Sequence, residues 1–509
     1  MGRPDPFFAY SLVLRTIIFV LVPLFGALQF VRLRRALHVF QLEGYKRREF
    51  LRWRRANQRR ALFLERSPAK KELVMTGRAW RLLATATLLS VLAVLAPAGA
   101  AHLVLGGWPA DVVTWAGMTA LVFWLTPHVL VVADILMSPV QALINRRFRD
   151  SARRKLARID PLVIGVTGSF GKTSTKFAIE RLVGPPGTVL ATPSSFNTPM
   201  GVVRTINERL EPRHGTFVVE MGARRERDIA ELCDLVYPRI GVLTSIGPAH
   251  LETFGSIDAV RRTKYELVSS LPPDGVAIMN CDDQEVRALA DMTEGVRVVR
   301  YGLDPAGRPD ISASGVRSTA RGTALEIVDN LSGETLQAET RLLGRHAVGH
   351  VLAAVAAARV AGRPLADLDA PIKGLAPVEH RLQLIEGTGG VTVIDDAYNS
   401  NPDGAAAALE VLGSIPARRR IVVTPGMIEL GAAQAAANER FAAAAAEVAD
   451  TIVAVAKVNR AALAAGAATG KADVVLVDSL AEVQRRLPEL VGPGDVVLFE
   501  NDLPDQYEG

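Results

Sequence analysis

One short run constrains the fold more than any other. Leu162–Val166 is apolar and largely β-branched, and it passes through Thr167 into Gly168-Ser169-Phe170-Gly171-Lys172-Thr173-Ser174, after which residues 172–183 have helical character. A strand, a glycine turn, a lysine, a hydroxyl residue and a helix, in that order, make a phosphate loop. Glycines let backbone N–H groups close on an anion, and the helix N-terminus adds its own unpaired donors. In such a loop Lys172 reaches the β- and γ-phosphates and the Thr173 hydroxyl is placed for Mg²⁺. Gly168 stands only three residues before Gly171, a shorter spacing than in the general pattern. A purely structural glycine turn is the plainer alternative, but it needs neither the lysine nor the threonine.

The chain around this loop alternates in the same way. Short apolar runs at Thr216–Glu220, Ile240–Ser245, Val276–Asn280, Val391–Ile394, Arg420–Thr424, Thr451–Val455 and Val496–Phe499 alternate with helical stretches at 224–236, 256–270, 346–361, 403–413 and 434–449. Strand–helix alternation predicts α/β architecture with parallel sheets. Residues 303–343 break the pattern and predict a small antiparallel insert, with strands at Ile311–Val316, Ala324–Val328 and Leu336–Arg341. Glu220 closes its strand and His250 follows the next, so both fall on one sheet edge near the phosphate loop, where metal ligands belong. Taken alone, Glu220 could equally be structural, and a lone histidine such as His250 usually is.

Charge is distributed unevenly. The chain of 509 residues carries a net +6, yet residues 32–81 hold sixteen Lys/Arg against four Glu, and residues 146–158 hold seven against Asp150. Residues 159–509 are left at net −11. That acidity argues against a nucleic-acid surface in the region that carries the phosphate loop. Cys233 and Cys281 are the only cysteines, so no disulfide framework is indicated.

The mean hydropathy of +0.20 traces to the N-terminal part. Residues 82–110 and 112–133 contain no charged side chain, and 7–31 only Arg15. Each is long enough to span a bilayer. The expectation is a membrane region over 1–158 with transmembrane helices at 7–31, 83–106 and 112–135 and a basic cytoplasmic loop at 32–81. If Arg15 makes the first segment interfacial, two spans remain. The loop's charge reads most simply as topology and attraction to anionic lipid; holding a polyanionic, lipid-linked substrate is the sharper alternative. The localisation expected is the bacterial cytoplasmic membrane, multi-pass, with the catalytic part in the cytoplasm.

The region from about residue 160 onward resembles the Mur ligases, ATP-dependent amide ligases of peptidoglycan precursor synthesis, with the closest likeness to the branch that adds D-alanyl-D-alanine. The resemblance is carried by Thr167–Ser174, Ser195-Phe-Asn197-Thr198-Pro-Met-Gly201, Glu220-Met-Gly, His250-Leu-Glu-Thr-Phe-Gly-Ser256, Lys264-Tyr-Glu266, Ile278-Met-Asn280, Gly344-Arg-His346, Arg381-Leu, Asp395-Asp396-Ala-Tyr398-Asn399-Ser-Asn401-Pro402 and Gly426–Gly431. It implies a P-loop central domain over 159–383 and a Rossmann-like C-terminal domain over 384–509. It also implies roles. Gly168, Ser169, Gly171, Lys172, Thr173 and Ser174 would cradle the phosphates of ATP, with Asn280, His346, Arg381, Asp396 and Tyr398 around the nucleotide. Thr173, Glu220 and His250 would hold magnesium, and Lys264, carbamylated, would serve a second ion. Lys172, Lys264, His250 and Arg381 would be catalytic; Asn197, Thr198, Asn399 and Asn401 would meet the substrates. The partners implied are a carboxylate acceptor, either a muramyl peptide or a lipid-linked envelope precursor, an amine such as D-Ala-D-Ala, and an envelope-synthesis membrane protein.

The chain also departs from the family pattern. Membrane-like segments stand where the family's N-terminal acceptor domain would be. The His-Asn-x-x-Asn pattern reads His346-Ala347-Val-Gly-His350, and the Pro-Gly-Arg turn reads Glu379-His380-Arg381. The late Lys-Gly-Ser/Ala-Arg segment is replaced by Glu500–Tyr507, whose acids could face an ammonium group or simply solvate the C-terminus. Two further readings therefore stay open: a ligase for another envelope polymer such as poly-γ-glutamate, and a membrane-tethered ATP-binding regulator without ligation.

Overall fold

A computed structural model describes residues 6–57, 72–105, 108–194, 196–248, 251–319, 322–398 and 400–502. The chain divides into two compact units, residues 1–147 and 148–509.

The first unit is helical: Pro6–Leu42, Arg47–Ala56, Gly77–Leu105, Trp108–Trp124 and the start of Thr126–Ile159. Its core gathers Leu33, Leu37, Phe40, Phe50, Leu82, Leu83 and Leu130. The buried Asp134 carboxylate accepts from Arg47 Nε at 2.6 Å and Arg78 Nη2 at 3.1 Å. The expected span at 112–135 is corrected here. Among the described residues two helices, Gly77–Val104 and Thr126–Ile159, are long and apolar enough to cross a membrane. The expected span 112–135 is not one helix but is broken at Leu125. Pro127 explains the break: it lacks an N–H and disfavours helical backbone in the residue before it. The Thr126 hydroxyl instead donates to Phe123 O at 2.7 Å, satisfying a carbonyl at the end of the preceding helix.

The second unit holds two sheets. The first comprises β1 (Leu162–Thr167), β2 (Val189–Ala191), β3 (Thr216–Glu220), β4 (Ile240–Leu243), β5 (Val276–Asn280), β6 (Arg297–Gly302), β7 (Ile311–Thr319), β8 (Gly322–Asp329) and β9 (Glu334–Thr340). Their order is β2-β3-β1-β4-β5-β6-β7-β8-β9. The pairs from β2 through β7 are parallel, and β7-β8-β9 form the antiparallel insert. Helix Lys172–Val183 and helix Arg345–Val360 cover one face through Ile179, Leu182, Val351, Leu352 and Val355. Ala353 through Ala358 are wholly buried, so this helix has no polar stripe there and lies deep in the core. The opposite face packs Val163, Phe217 and Val219 against Ile206, Leu232 and Leu267.

The second sheet comprises β10 (Gln383–Glu386), β11 (Thr392–Asp396), β12 (Arg420–Thr424), β13 (Thr451–Val455), β14 (Asp473–Val477) and β15 (Val496–Glu500), ordered β10-β11-β15-β12-β13-β14. Only β10 is antiparallel. Neighbouring residues face opposite cores: Val422 and Ile452 pack with Leu409 and Phe441, while Ile421, Val423 and Val453 pack with Val483. A strand buried on both faces reads as an unbroken apolar run, as these do. The chain thus has the α/β architecture expected of its C-terminal two thirds, with two mainly parallel sheets.

Candidate active site

The phosphate loop forms as a strand-to-helix turn held by the neighbouring β4 loop. Ser169 N donates to Ser245 O at 2.8 Å, and Phe170 N to Ser245 Oγ at 2.9 Å. The Ser169 hydroxyl donates to Gly247 O and accepts from Gly247 N at 2.9 Å, so it is already engaged. Two glycines are required. A Cβ on Gly168 would lie 2.0 Å from Thr244 Oγ1, and Gly171, at φ +77°, would carry one 2.7 Å from the His350 ring. Lys172 Nζ folds back onto its own loop, donating to Gly168 O at 2.7 Å and Ser169 O at 2.9 Å. Burial lowers its pKa to about 8; the Glu220 carboxylate opposes that shift and Arg381 adds to it.

Register puts Glu220 beside the end of β1, opposite Val166. Its carboxylate is 1% exposed and satisfied on both oxygens: Lys176 Nζ donates to Oε2 at 3.2 Å and Asn197 Nδ2 to Oε1 at 3.0 Å. Lys176 also donates to Ser194 O. Sequence reasoning missed Lys176. Its signal was present, because it lies four residues after Lys172 on the same helix face. Thr198 caps helix Pro199–Arg209, accepting from Gly201 N, and Asn401 caps helix Pro402–Ser414, accepting from Gly404 N at 2.9 Å. Lys264, on helix Ile257–Ser269, is 3% exposed; burial first, and then the Lys172 ammonium, push its amine well below the usual lysine range. His250 and Asn399 lie outside the described residues.

A cavity of about 1060 Å³ opens between the two sheets. Of the residues singled out from sequence, Gly171, Ser174, Asn280, His346, Arg381, Asp396 and Asn401 line it. Gly168, Ser169, Lys172, Thr173, Asn197, Thr198, Glu220, Lys264 and Tyr398 do not belong to its wall. Asn280 ends β5 and donates to Thr244 O at 2.8 Å. His346 is exposed to the cavity yet ringed by protein, and that desolvation pushes its imidazole down to about 4. His350, one helical turn on, goes down to about 3, by burial first and then by His346 and Arg381; its Nδ1 lies 3.0 Å from Thr175 Oγ1. Both rings are therefore neutral at physiological pH.

From the second sheet, Arg381 enters the cavity with its guanidinium 4.3 Å over the Tyr398 ring. Asp396 ends β11 and accepts from Leu382 N at 3.1 Å. Register places Asp396 directly opposite Glu500 on β15. Glu500 is fully buried; Ser400 Oγ donates to its Oε1 at 2.5 Å, while its Oε2 has no hydrogen-bond partner among the described residues. Burial raises both carboxyls, Asp396 to about 6 and Glu500 well above the usual carboxylate range; the Asp396 charge raises Glu500 further, while Arg381 and a hydrogen bond from Glu500 pull Asp396 down, so the pair's proton is held on Glu500. Glu500 was read from sequence as part of an acid cluster that could face an ammonium group or solvate the C-terminus, not as the partner of Asp396.

Comparison with known proteins agrees with this geometry. Residues 166–358 match the Mur ligase middle domain, and residues 380–500 match the Mur ligase glutamate ligase domain. The chain is 38% identical over 287 residues to the UDP-N-acetylmuramoyl-tripeptide–D-alanyl-D-alanine ligase of Mycobacterium bovis, covering 55% of each protein. It is 32% identical over 283 residues to the Escherichia coli ligase of the same name, covering 56% of this chain and 62% of that one. The match thus spans little more than half the length of these curated relatives. Among solved structures, MurF from Thermotoga maritima in complex with ADP superposes with a TM-score of 0.62 at 26% identity, covering 72% of this chain and 82% of that one. MurF from Acinetobacter baumannii superposes with a TM-score of 0.63 at 25% identity, covering 70% and 77%.

These likenesses also correct the expected localisation. The relatives are named for a UDP-N-acetylmuramoyl-tripeptide. The expectation of a multi-pass protein of the bacterial cytoplasmic membrane does not stand: the family match lies in residues 166–358 and 380–500, the chain is similar to the ligases above, and the two helices of spanning length among the described residues meet that test by length and composition alone. Two family models that together account for most of the chain, one on each sheet of the second unit, show that it belongs to the Mur ligase family.

Proposed function

We propose that this chain is an ATP-dependent amide ligase that joins D-alanyl-D-alanine to a UDP-linked muramyl tripeptide. The observation that carries the reading is the phosphate loop of β1, flanked by Glu220 and facing a cavity that Arg381 enters from the second sheet. The names of the most similar ligases and the ADP in the Thermotoga structure support the choice of substrates.

The chemistry uses the chain's residues as follows. The acceptor carboxylate attacks the γ-phosphorus of ATP; an acyl phosphate forms and ADP leaves. Positioning and charge neutralisation dominate such a transfer. Lys172 would exchange its two loop carbonyls for phosphate oxygens, and Arg381 would meet the nucleotide from the opposite wall. The amine then attacks the acyl carbon, phosphate leaves, and one proton is lost as the amide forms. Placing the site between two sheets shields the acyl phosphate from water. Asn280, His346, Asp396 and Tyr398 would surround the nucleotide; Asn197, Asn399 and Asn401 would act at the substrate side, while Thr198 caps the helix that follows it.

The Thr173 hydroxyl and the Glu220 carboxylate are hard oxygen donors of the kind magnesium selects, with His250 as a further ligand. When bound, the ion would neutralise phosphate charge. Lys264 suits a carbamate because burial pushes its amine well below the usual lysine range, which favours the nucleophilic free base: Nζ adds to CO₂ and loses one proton, giving a carboxylate able to serve a second ion.

The test is the full chain with ATP, Mg²⁺, UDP-muramyl tripeptide and D-Ala-D-Ala, read by product mass. Lys172→Ala should abolish ligation. Full activity in that variant, or no acceptor-dependent phosphate release by the unaltered protein, would reject the assignment; the second result would favour a nucleotide-binding regulator.

A further inference from the structure

The segment that links the two sheets carries an unusual backbone. His380 has φ +59° and Leu382 has φ +45°, so two side-chain-bearing residues in the left-handed region flank Arg381. Such conformations favour glycine and persist only where the surroundings hold them. Here those surroundings can be named. His380 Nδ1 lies 2.7 Å from Asp395 Oδ2, and its Nε2 lies 3.8 Å from Glu379. Tyr398 N donates to His380 O at 3.2 Å, Leu382 N donates to Asp396, and Arg381 N donates to Val378 O at 3.0 Å. Asp395 is held in turn, because its Oδ1 accepts from Ala397 N.

We propose that His380 is a positioning residue: its ring, clasped by Asp395, holds the left-handed turn that points Arg381 into the cavity. The half-exposed imidazole is not among the residues that line the cavity, so it acts through Arg381. Histidine is among the non-glycine residues that adopt this conformation, but nothing local requires it there. The ring adds a tether that glycine would lack. The tether joins the crossing segment to the end of β11, and so fixes Arg381 relative to the second sheet. Tyr398, on the same side, supplies the ring under the guanidinium. Arg381 is thus constrained at both its backbone and its tip.

The inference rests on the nucleotide-binding reading of the cavity, and the test separates the two. His380→Gly keeps the φ accessible and removes the clasp; His380→Asn keeps both, since asparagine tolerates this backbone and its amide can donate to Asp395. Equilibrium binding of ATP and steady-state kinetics are measured on the full chain, with thermal unfolding to confirm folding. His380→Gly should unfold near the unaltered protein yet raise the ATP Kd and KM, for a loss in kcat/KM of about tenfold or more. His380→Asn should recover most of that loss. Asp395→Ala should reproduce the glycine variant, and the double variant should be no worse than either single one. Unchanged ATP binding and kinetics in His380→Gly, or additive losses in the double variant, would overturn the clasp. If the unaltered chain binds no ATP, the clasp falls with the nucleotide reading. If it binds ATP without ligating, the Kd comparison alone still decides the clasp.

Discussion

Glu220 and Asp396 each end a parallel strand of their own sheet, and each is buried, but their surroundings handle the buried carboxylate in opposite ways. Glu220 has a lysine ammonium on one oxygen and an amide on the other. Asp396 faces a second carboxyl, Glu500, across the β11–β15 register, with Arg381 as the cation nearby. The first site compensates charge with charge. The second suppresses charge by keeping a proton. A buried anion with a matched cation is ready to trade partners, whereas a proton-sharing pair resists ionisation and stiffens the strand ends it joins.

The sharpest way to break the comparison is to remove the cation at the first site. Lys176→Met should cost about 3–5 kcal/mol, because it leaves Glu220 ionised and buried without its partner. Adding Glu220→Gln should return most of that loss, read from urea unfolding midpoints. A small effect of the single change would mean that water already reaches the carboxylate.

At the second site the expected effect is smaller and depends on pH. Both pKa values are raised on folding, so the pair's contribution is complete below the unfolded carboxylate range and is lost as pH rises through the folded values. Glu500→Gln keeps a neutral donor for Asp396 and removes one titration. It should flatten the decline in unfolding midpoint from pH 4 upward and leave the variant more stable at neutral pH, by on the order of 1–3 kcal/mol. A decline as steep as in the unaltered protein would show that Glu500 does not hold the proton. Smallest is Thr198→Ala, which removes a helix cap and should cost about 1 kcal/mol with little change in KM for either substrate. A large KM effect would move Thr198 from capping to substrate contact.

The same contrast explains what could be read before folding. The phosphate loop was legible because its chemistry is local: strand, glycines, lysine and helix all fall between Leu162 and Val183. The antiparallel insert and eight of the other strands were legible from apolar runs and turn residues, whereas β2, β6, β10 and β14 were not read from the sequence. The Asp396–Glu500 pair was not, because β12, β13, β14 and the helices between them separate its partners in the chain, and only the insertion of β15 between β11 and β12 brings them together. Lys176 was overlooked because a lysine on an exposed helix face and one turned into a sheet edge have the same sequence. The expected span 112–135 failed for a local reason that composition hides: Pro127 breaks the helix although no charged residue interrupts the apolar run up to Ala133. Glu379-His380-Arg381 could be marked as a departure, but its left-handed backbone is a property of how the two sheets are joined.

The folded-back Lys172 gives the phosphate loop an internal substitute for its ligand's charge contact. Two carbonyls that would otherwise repel an approaching polyanion are masked by the ammonium. An incoming phosphate therefore competes for a cation already engaged, so the net gain on binding is smaller than a free lysine would provide. In exchange, the loop stands near its working shape before the anion arrives, and recognition becomes a swap of partners with little rearrangement of the backbone.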